Sequence, residues 1–172
     1  MHSARNSVFG SALGASLIMT GLMLGFFYAW ICSTMWGLDA TDPRVAIGAM
    51  QAMNGSVRNV AFGPVFFGTP FVVLLTAYLG WRSGYKISTV LVGLAGLVSL
   101  FGYLVLTATI NVPMNEALGA MNVPSTIEEA QIIWSDYSAP WQFWNTVRFG
   151  FTALSFVLLV AAVLFVWPGE RN

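Results

Sequence analysis

The sequence predicts an all-α fold: a four-transmembrane-helix bundle with short extramembrane helices in the first and third connections. Two observations carry this reading. Residues 6–38, 59–81, 87–115 and 149–169 hold no charged side chain, and each stretch exceeds the roughly 20 residues that cross a bilayer as a helix. Of the 172 residues, 57% are hydrophobic and 8% charged, which leaves no room for a separate soluble domain, so residues 1–172 are read as a single integral membrane domain. Lipid offers backbone amides no partner, so spanning segments close their own hydrogen bonds as helices, and four short-connected helices pack most simply as a bundle.

The first span covers residues 8–31. Arg5 precedes its apolar run as in a signal peptide, but the run continues to Trp30, no small-x-small cleavage site follows, and Ile31 before Cys32 does not suit a lipoprotein site. It is therefore read as a retained span. Gly10 and Gly14, and Gly21 and Gly25, stand four apart, a spacing that lets helices approach closely inside the bundle. Cys32 is the single cysteine; it excludes an intramolecular disulfide and is read as a small packing residue.

In the first connection Asp42 is a helix N-cap with Pro43 at the first helical position, and Asn54-Gly55 is the stop. Between them Val45, Ala46, Ala49, Met50 and Met53 make an apolar stripe, which places a short helix on the membrane surface or over the bundle mouth. The second span, residues 59–81, carries Pro64 and Pro70. Each proline removes a backbone donor, so the span is expected to kink or open, with room for a cavity beside it. The third span, residues 87–110, is expected to end at Asn111, because Pro113 disfavours helix at Val112 and can itself start a new short helix.

The third connection holds two overlapping capping-box patterns, Ser125 with Glu128 and Thr126 with Glu129, which predict a helix over residues 127–137. Pro140 is expected to restart the chain into the fourth span, residues 145–167. On that helix Trp141, Asn145 and Arg148 fall at i, i+4 and i+7, on one face.

Lys and Arg number four at the termini and the short second connection (Arg5, Arg82, Lys86, Arg171) and three in the two long connections (Arg44, Arg58, Arg148). By that bias both termini are expected in the cytoplasm, with the long connections and six of the seven acids outside. The formal net charge is zero and no basic run occurs, so nucleic acid is not an expected partner.

His2 is the only histidine and Cys32 the only cysteine, so haem, copper and tetrahedral zinc sites lack their usual ligands, and Glu116, Glu128, Glu129 and Asp136 lack ligand spacing. No phosphate loop, nucleophile elbow, or Ser-His or Cys-His pair is present. The expected cofactor is therefore none. What remains is a mouth rich in aromatics and amides: Trp134, Trp141 and Trp144 line an apolar pocket, Asn111, Asn115 and Asn145 exchange hydrogen bonds, and Arg148 holds an anionic oxygen. Such a set suits a planar, oxygenated, lipophilic ligand. Taken singly, each residue has a plainer reading. Trp30, Trp36, Trp81, Trp144 and Trp167 fit an interfacial aromatic belt, Arg58 and Arg148 can snorkel to headgroups, and asparagines beside a proline cap helix ends.

At these residues the chain resembles the DUF1772 family of small four-span membrane proteins, which includes fungal anthrone oxygenases. The resemblance rests on Gly-Phe-Phe-Tyr-Ala-Trp at residues 25–30, Met-Gln-Ala-Met-Asn at 50–54, Asn-Val-Pro-Met-Asn at 111–115, and Trp141 with Trp-Asn-x-x-Arg at 144–148. It extends over residues 11–165. What it implies is oxidation of an anthrone to an anthraquinone by molecular oxygen, with no metal or flavin strictly required. On that reading Arg148, assisted by Asn111, Asn115 or Asn145, stabilises an enolate oxygen. Trp134 and Trp141 hold the aromatic plane, and Asn54 joins them in binding substrate. Glu116, or failing it Asp136, is the base, with a pKa raised by burial. The expected partners are the bilayer, a lipophilic aromatic small molecule, and a second copy or a larger membrane complex. The rival expectations are a non-catalytic binder of a lipid or small molecule, an accessory subunit and, last, a transporter.

Overall fold

The computed structural model describes residues 2–166, with side chains from residue 7 onward. Trp167 of the expected belt, Arg171 of the orientation argument and the end of the expected fourth span lie outside the described residues. Among the described residues five helices account for the fold, and four of them are long and apolar enough to cross a membrane.

α1 runs as α-helix over His2–Ala29, widens into a π-helix at Trp30–Thr34 and closes as α-helix over Met35–Asp39. It is therefore longer than the span expected to end at residue 31. Of its glycines, only Gly21 meets a neighbouring element, Phe156 at 3.5 Å; a methyl group added at Gly10, Gly14 or Gly25 would meet open space. The expected intramolecular packing role fails for those three, whose small surfaces look outward.

α2, Pro43–Ser56, starts as the sequence predicts: the Asp42 carboxylate accepts the Arg44 amide at 2.9 Å, with Pro43 in the first turn. The buried stripe is Pro43, Ala46, Ile47 and Met50, while Val45 is exposed, so the apolar face is rotated from the one expected. Asn54 continues that i, i+4, i+7 series towards the bundle. Gln51 donates to the carbonyls of Leu118 and Met121, each at 2.9 Å, and Arg44 to that of Ser125 at 3.2 Å. These bonds lay α2 across the bundle end as a cover.

α3, Gly63–Ser83, begins four residues later than expected because Asn59 caps the preceding turn, accepting the amides of Ala61 and Phe62 at 2.9 and 3.0 Å. Pro64 sits in the first turn, where a missing N–H costs nothing. Pro70 sits inside and leaves the Phe66 carbonyl without its usual donor. The buried Tyr103 hydroxyl donates to that carbonyl at 3.1 Å. The expected opening at Pro70 is thus closed by a neighbouring side chain. Gly84, at φ 86°, ends the helix in the left-handed region that glycine adopts without strain.

α4, Lys86–Gly119, does not break at Asn111. Its α-helix over Lys86–Ser99 gives way to π-helix at Leu100–Val105 and Thr107–Asn111, and α-helix resumes over Val112–Gly119. Pro113 cannot donate to the Thr109 carbonyl. The chain responds by widening the turn before it, so that the Val112 amide reaches back five residues to Thr107. α5, Ile127–Leu164, is one helix of 38 residues, capped by Thr126 on the Glu129 amide. Pro140 lies inside it and restarts nothing: Pro140 and Asp136 are both exposed, so the carbonyl it frees faces outward.

α1, α3, α4 and α5 form a square bundle in which each helix packs chiefly against two others, in the cyclic order α1, α3, α4, α5, with Phe27 of α1 meeting Tyr103 of α4 across the centre. At the end bearing the termini, Phe9, Leu13, Val73, Tyr85, Val92 and Leu159 pack together. Buried hydroxyls join the helices along the axis, Ser16 to Thr76 at 2.9 Å and Ser99 to Ser155 at 2.8 Å, the polar glue that replaces hydrophobic driving force in lipid. Gly102 is needed for closeness, since a methyl group there would lie 2.5 Å from Phe151. At the other end α1, α4 and α5 rise past the bundle and, with α2, enclose a separate core of Met35, Ile47, Met50, Leu118, Trp134 and Trp141. This dome covers the bundle mouth.

Candidate functional site

Under the dome, where α1 and α4 carry their π-helical turns, lies a cavity of about 560 Å³. Phe26, Phe27 and Trp30 of α1, Phe62, Phe66 and Phe67 at the start of α3, and Trp141 of α5 supply an aromatic wall. Its polar side chains come from Asn54 of α2, Arg58 and Asn59 in the turn before α3, Thr107, Asn115 and Glu116 of α4, and Asn145 and Arg148 of α5.

Arg148 is 5% exposed. Its guanidinium donates to Thr107 Oγ1 at 3.2 Å and to Asn145 Oδ1 at 3.1 Å, while its Nε has no partner. The rings of Phe27 and Trp141 lie 4.9 and 5.4 Å from the guanidinium carbon. Among the described residues the ion pairs are Arg44 with Asp42 and Arg58 with Glu116, so no carboxylate answers this buried cation. Cation–π contacts of this kind are worth roughly 1–2 kcal/mol each, less than the several kcal/mol it costs to take an ion out of water. The balance leaves a site short of one negative charge.

Asn145 is held by donating to the Phe27 carbonyl at 3.1 Å, beside the π-helical turn of α1. The Asn115 oxygen accepts the Tyr137 hydroxyl at 2.8 Å and the Trp141 indole at 3.0 Å, which turns its amide nitrogen away from those donors. The Asn54 amide nitrogen is buried without a partner. Asn111 stands between Thr107 and Asn115 on α4, fully buried with both amide atoms unpartnered, and does not line the cavity itself. The wide π-helical turn directly before Val112 is what carries it there.

The structure thus brings Asn54, Asn115, Glu116, Trp141, Asn145 and Arg148 to one cavity and sets Asn111 just behind its wall. It does not bring Trp134 there. That indole donates to Asp39 Oδ1 at 2.9 Å within the dome core, where Ser138 and Gln142 also donate to the same carboxylate at 2.6 and 2.8 Å. The expected grip of Trp134 on a substrate plane is therefore replaced by a clamp between the top of α1 and α5. Trp144 is partly exposed against Phe143 and away from the cavity. Asp136 is exposed and lines nothing here. Glu116 lines the mouth, but its side chain is 62% exposed and 3.7 Å from Arg58, so the burial expected of a base is missing.

Sequence reasoning missed Phe26, Phe27, Phe62, Phe66, Thr107 and Tyr137. Thr107 and Tyr137 carried a readable signal, each four residues before a singled-out partner, Asn111 and Trp141. Phe26 and Phe27 lie in the segment at residues 25–30 that carries the family resemblance, whereas Phe62 and Phe66 carried no signal, because an apolar residue in a span looks the same facing lipid or cavity.

Arranged this way, the cavity can take a flat apolar ring system and place one of its oxygens on Arg148. A family model described as anthrone oxygenase matches residues 51–158, more than half of the chain, and includes every polar residue of the cavity. Neither the curated proteins nor the solved structures contain a match. By that match the chain belongs to the anthrone oxygenase family.

Proposed function

We propose that the protein oxidises a lipophilic aromatic substrate of anthrone or hydroquinone type with molecular oxygen and without a cofactor. The family supports a membrane oxygenase-like role in general terms. The single observation that carries the finer reading is Arg148, a buried guanidinium that lines an aromatic-walled cavity and has no carboxylate partner among the described residues.

An anthrone carries a methylene between two aryl rings. Loss of one methylene proton gives an enolate whose oxygen supplies the negative charge the site lacks. Preorganised donors favour the developing oxyanion without having to reorganise, so Arg148 lowers the substrate's acidity threshold and a weak base suffices. Glu116 at the mouth is the acceptor of that proton, since it is the carboxylate among the cavity residues. The electron-rich carbon passes one electron to oxygen, the carbon radical and superoxide combine, and a proton completes a hydroperoxide. Loss of the remaining hydrogen on that carbon as a proton, with cleavage of the oxygen–oxygen bond, leaves the ketone and water. One oxygen atom ends in the quinone and one in water.

Oxygen uptake by the purified protein with a panel of anthrones and hydroquinones tests this, with the Arg148→Leu variant beside it. Protein-dependent uptake with quinone formation, lost in the variant, is expected. Undiminished turnover in a folded Arg148→Leu protein removes the role given to Arg148. The rival of a non-catalytic binder draws on Asn115 and Asn145, whose oxygens are already occupied within the protein. The unpartnered nitrogens of Arg148 and Asn54, two residues that line the cavity, favour a bound ligand over a purely structural role, and oxygen uptake separates oxidation from binding.

A further inference from the structure

We infer that the substrate is an amphiphile: its oxygenated aromatic head lies on Arg148 and an apolar chain attached to it leaves through a groove between α1 and the turn before α3. The head position rests on the proposed oxidation. The chain rests on a second hollow, of about 460 Å³, that shares Phe26, Trp30, Met53, Val57, Asn59 and Phe62 with the first and continues outward past Ser56 and Ala61. The rings of Phe26 and Phe62, 4.8 Å apart, form the threshold between the two.

The two hollows differ in what they leave unsatisfied. In the first, Arg148 Nε and the Asn54 amide nitrogen have no partner. In the second, the polar groups are spent on the turn itself. Ser56 donates to the Met53 carbonyl at 3.1 Å, Asn59 donates to the Ser56 carbonyl at 2.7 Å, and its oxygen accepts the amides of Ala61 and Phe62. A groove whose side-chain hydroxyl and amide already serve the turn offers a second polar group little in return for its water, and accepts hydrocarbon. The groove also opens beside apolar surface, with Val60 93% and Phe67 60% exposed, so a chain lying in it runs on into lipid. One end polar and anionic, the other hydrocarbon, is the description of an alkylated anthrone or hydroquinone ionised at its oxygen.

The probe is an anthraquinone, already at the oxidation level of the product, bearing an octyl chain that ends in a diazirine, with the chainless anthraquinone as its partner; both are bound to the full-length protein in nanodiscs. Photolysis is expected to label residues 53–62. Ala61→Trp, which fills the groove, is expected to weaken binding of the chain-bearing compound about tenfold more than that of the compact one, the usual scale for overpacking. Ser56→Trp repeats the test should the first variant not fold. Labels scattered over outward residues of α4 such as Val90, Leu94 and Phe101, or equal effects of the substitution on both compounds, would overturn the groove. These are binding measurements, so the two readings fail separately. Chain-end labelling with no oxygen uptake from any anthrone removes the oxidation and keeps the groove; oxygen uptake with scattered labels does the reverse.

Discussion

Arg148 shows how one side chain can be both structural and poised for chemistry. Two of its nitrogens are committed to Thr107 and Asn145, which fixes the guanidinium plane, and the third is left over. Lysine keeps the charge but not the fork, since an ammonium cannot satisfy both neighbours and still present a donor in a set direction. Arg148→Lys is therefore expected to lower kcat about 100-fold, roughly 2.7 kcal/mol of transition-state stabilisation, with a smaller change in KM, as read by steady-state oxygen uptake. A kcat equal to that of the parent protein would show that charge alone is enough. At this scale the sequence was legible where polarity interrupted an apolar helix: Trp141, Asn145 and Arg148 announce one face by their spacing. Trp134 has the same spacing and a different fate. The face of α5 that carries it serves two buried environments in succession, the dome core and then the cavity, and nothing in the helical period marks where one ends.

The elements most altered from expectation are those containing proline. Pro70 and Pro113 each leave a carbonyl four residues earlier without its donor, and the protein answers differently in the two places. At Pro70 a neighbouring helix supplies the Tyr103 hydroxyl to Phe66. At Pro113 the helix widens into π turns that keep α4 continuous and set Thr107 against Arg148. Tyr103→Phe should leave the Phe66 carbonyl buried and unpaired, at a cost of about 1–3 kcal/mol, seen as a lower Tm in detergent; an unchanged Tm would mean that another donor reaches it. The cap of α2 responds to pH. The side-chain and backbone hydrogen bonds from Arg44 hold the Asp42 carboxyl below its ordinary value of 3.8. A depressed folded-state pKa stabilises the fold above the unfolded value and the benefit fades as pH falls through the folded one. Amide protection factors over residues 44–47, exchange relative to the intrinsic rate at each pH, should therefore be unchanged from neutrality down to about pH 5 and should fall below about pH 4. Protection with no acid limb would show that the cap does not hold the helix. Span positions and both helix caps could be read from the sequence, because they rest on local chemistry. The π turns could not, because a lipid-facing helix is apolar all round and its pattern carries no period to betray a widened turn.

The whole molecule is longer than a membrane is thick. At 1.5 Å per residue, the 38 residues of α5 extend about 57 Å and the 33 of Ser7–Asp39 about 50 Å, against a hydrocarbon core of about 30 Å. The 21 residues of α3 extend about 32 Å and match it. The surplus of the long helices is the dome, held to α2 by Gln51 and Arg44 and internally by Asp39. With both termini expected in the cytoplasm, a membrane-impermeant maleimide should modify Ala120→Cys in intact cells and leave Ser83→Cys untouched until the cells are opened, each in a Cys32→Ala background; the opposite pattern would invert the protein. Composition and charge placement by themselves determined that this chain is an all-α membrane bundle, where its spans run, and that Asn145 and Arg148 share a face. Only the tertiary structure decided that the first, third and fourth spans continue into a dome, that Trp134 belongs to that dome, and that Arg148 has no counter-charge among the described residues. The reason is that apolarity in a bilayer records where a helix lies, whereas the partner of a buried polar group comes from elements distant in the chain, and only their packing says whether one is there.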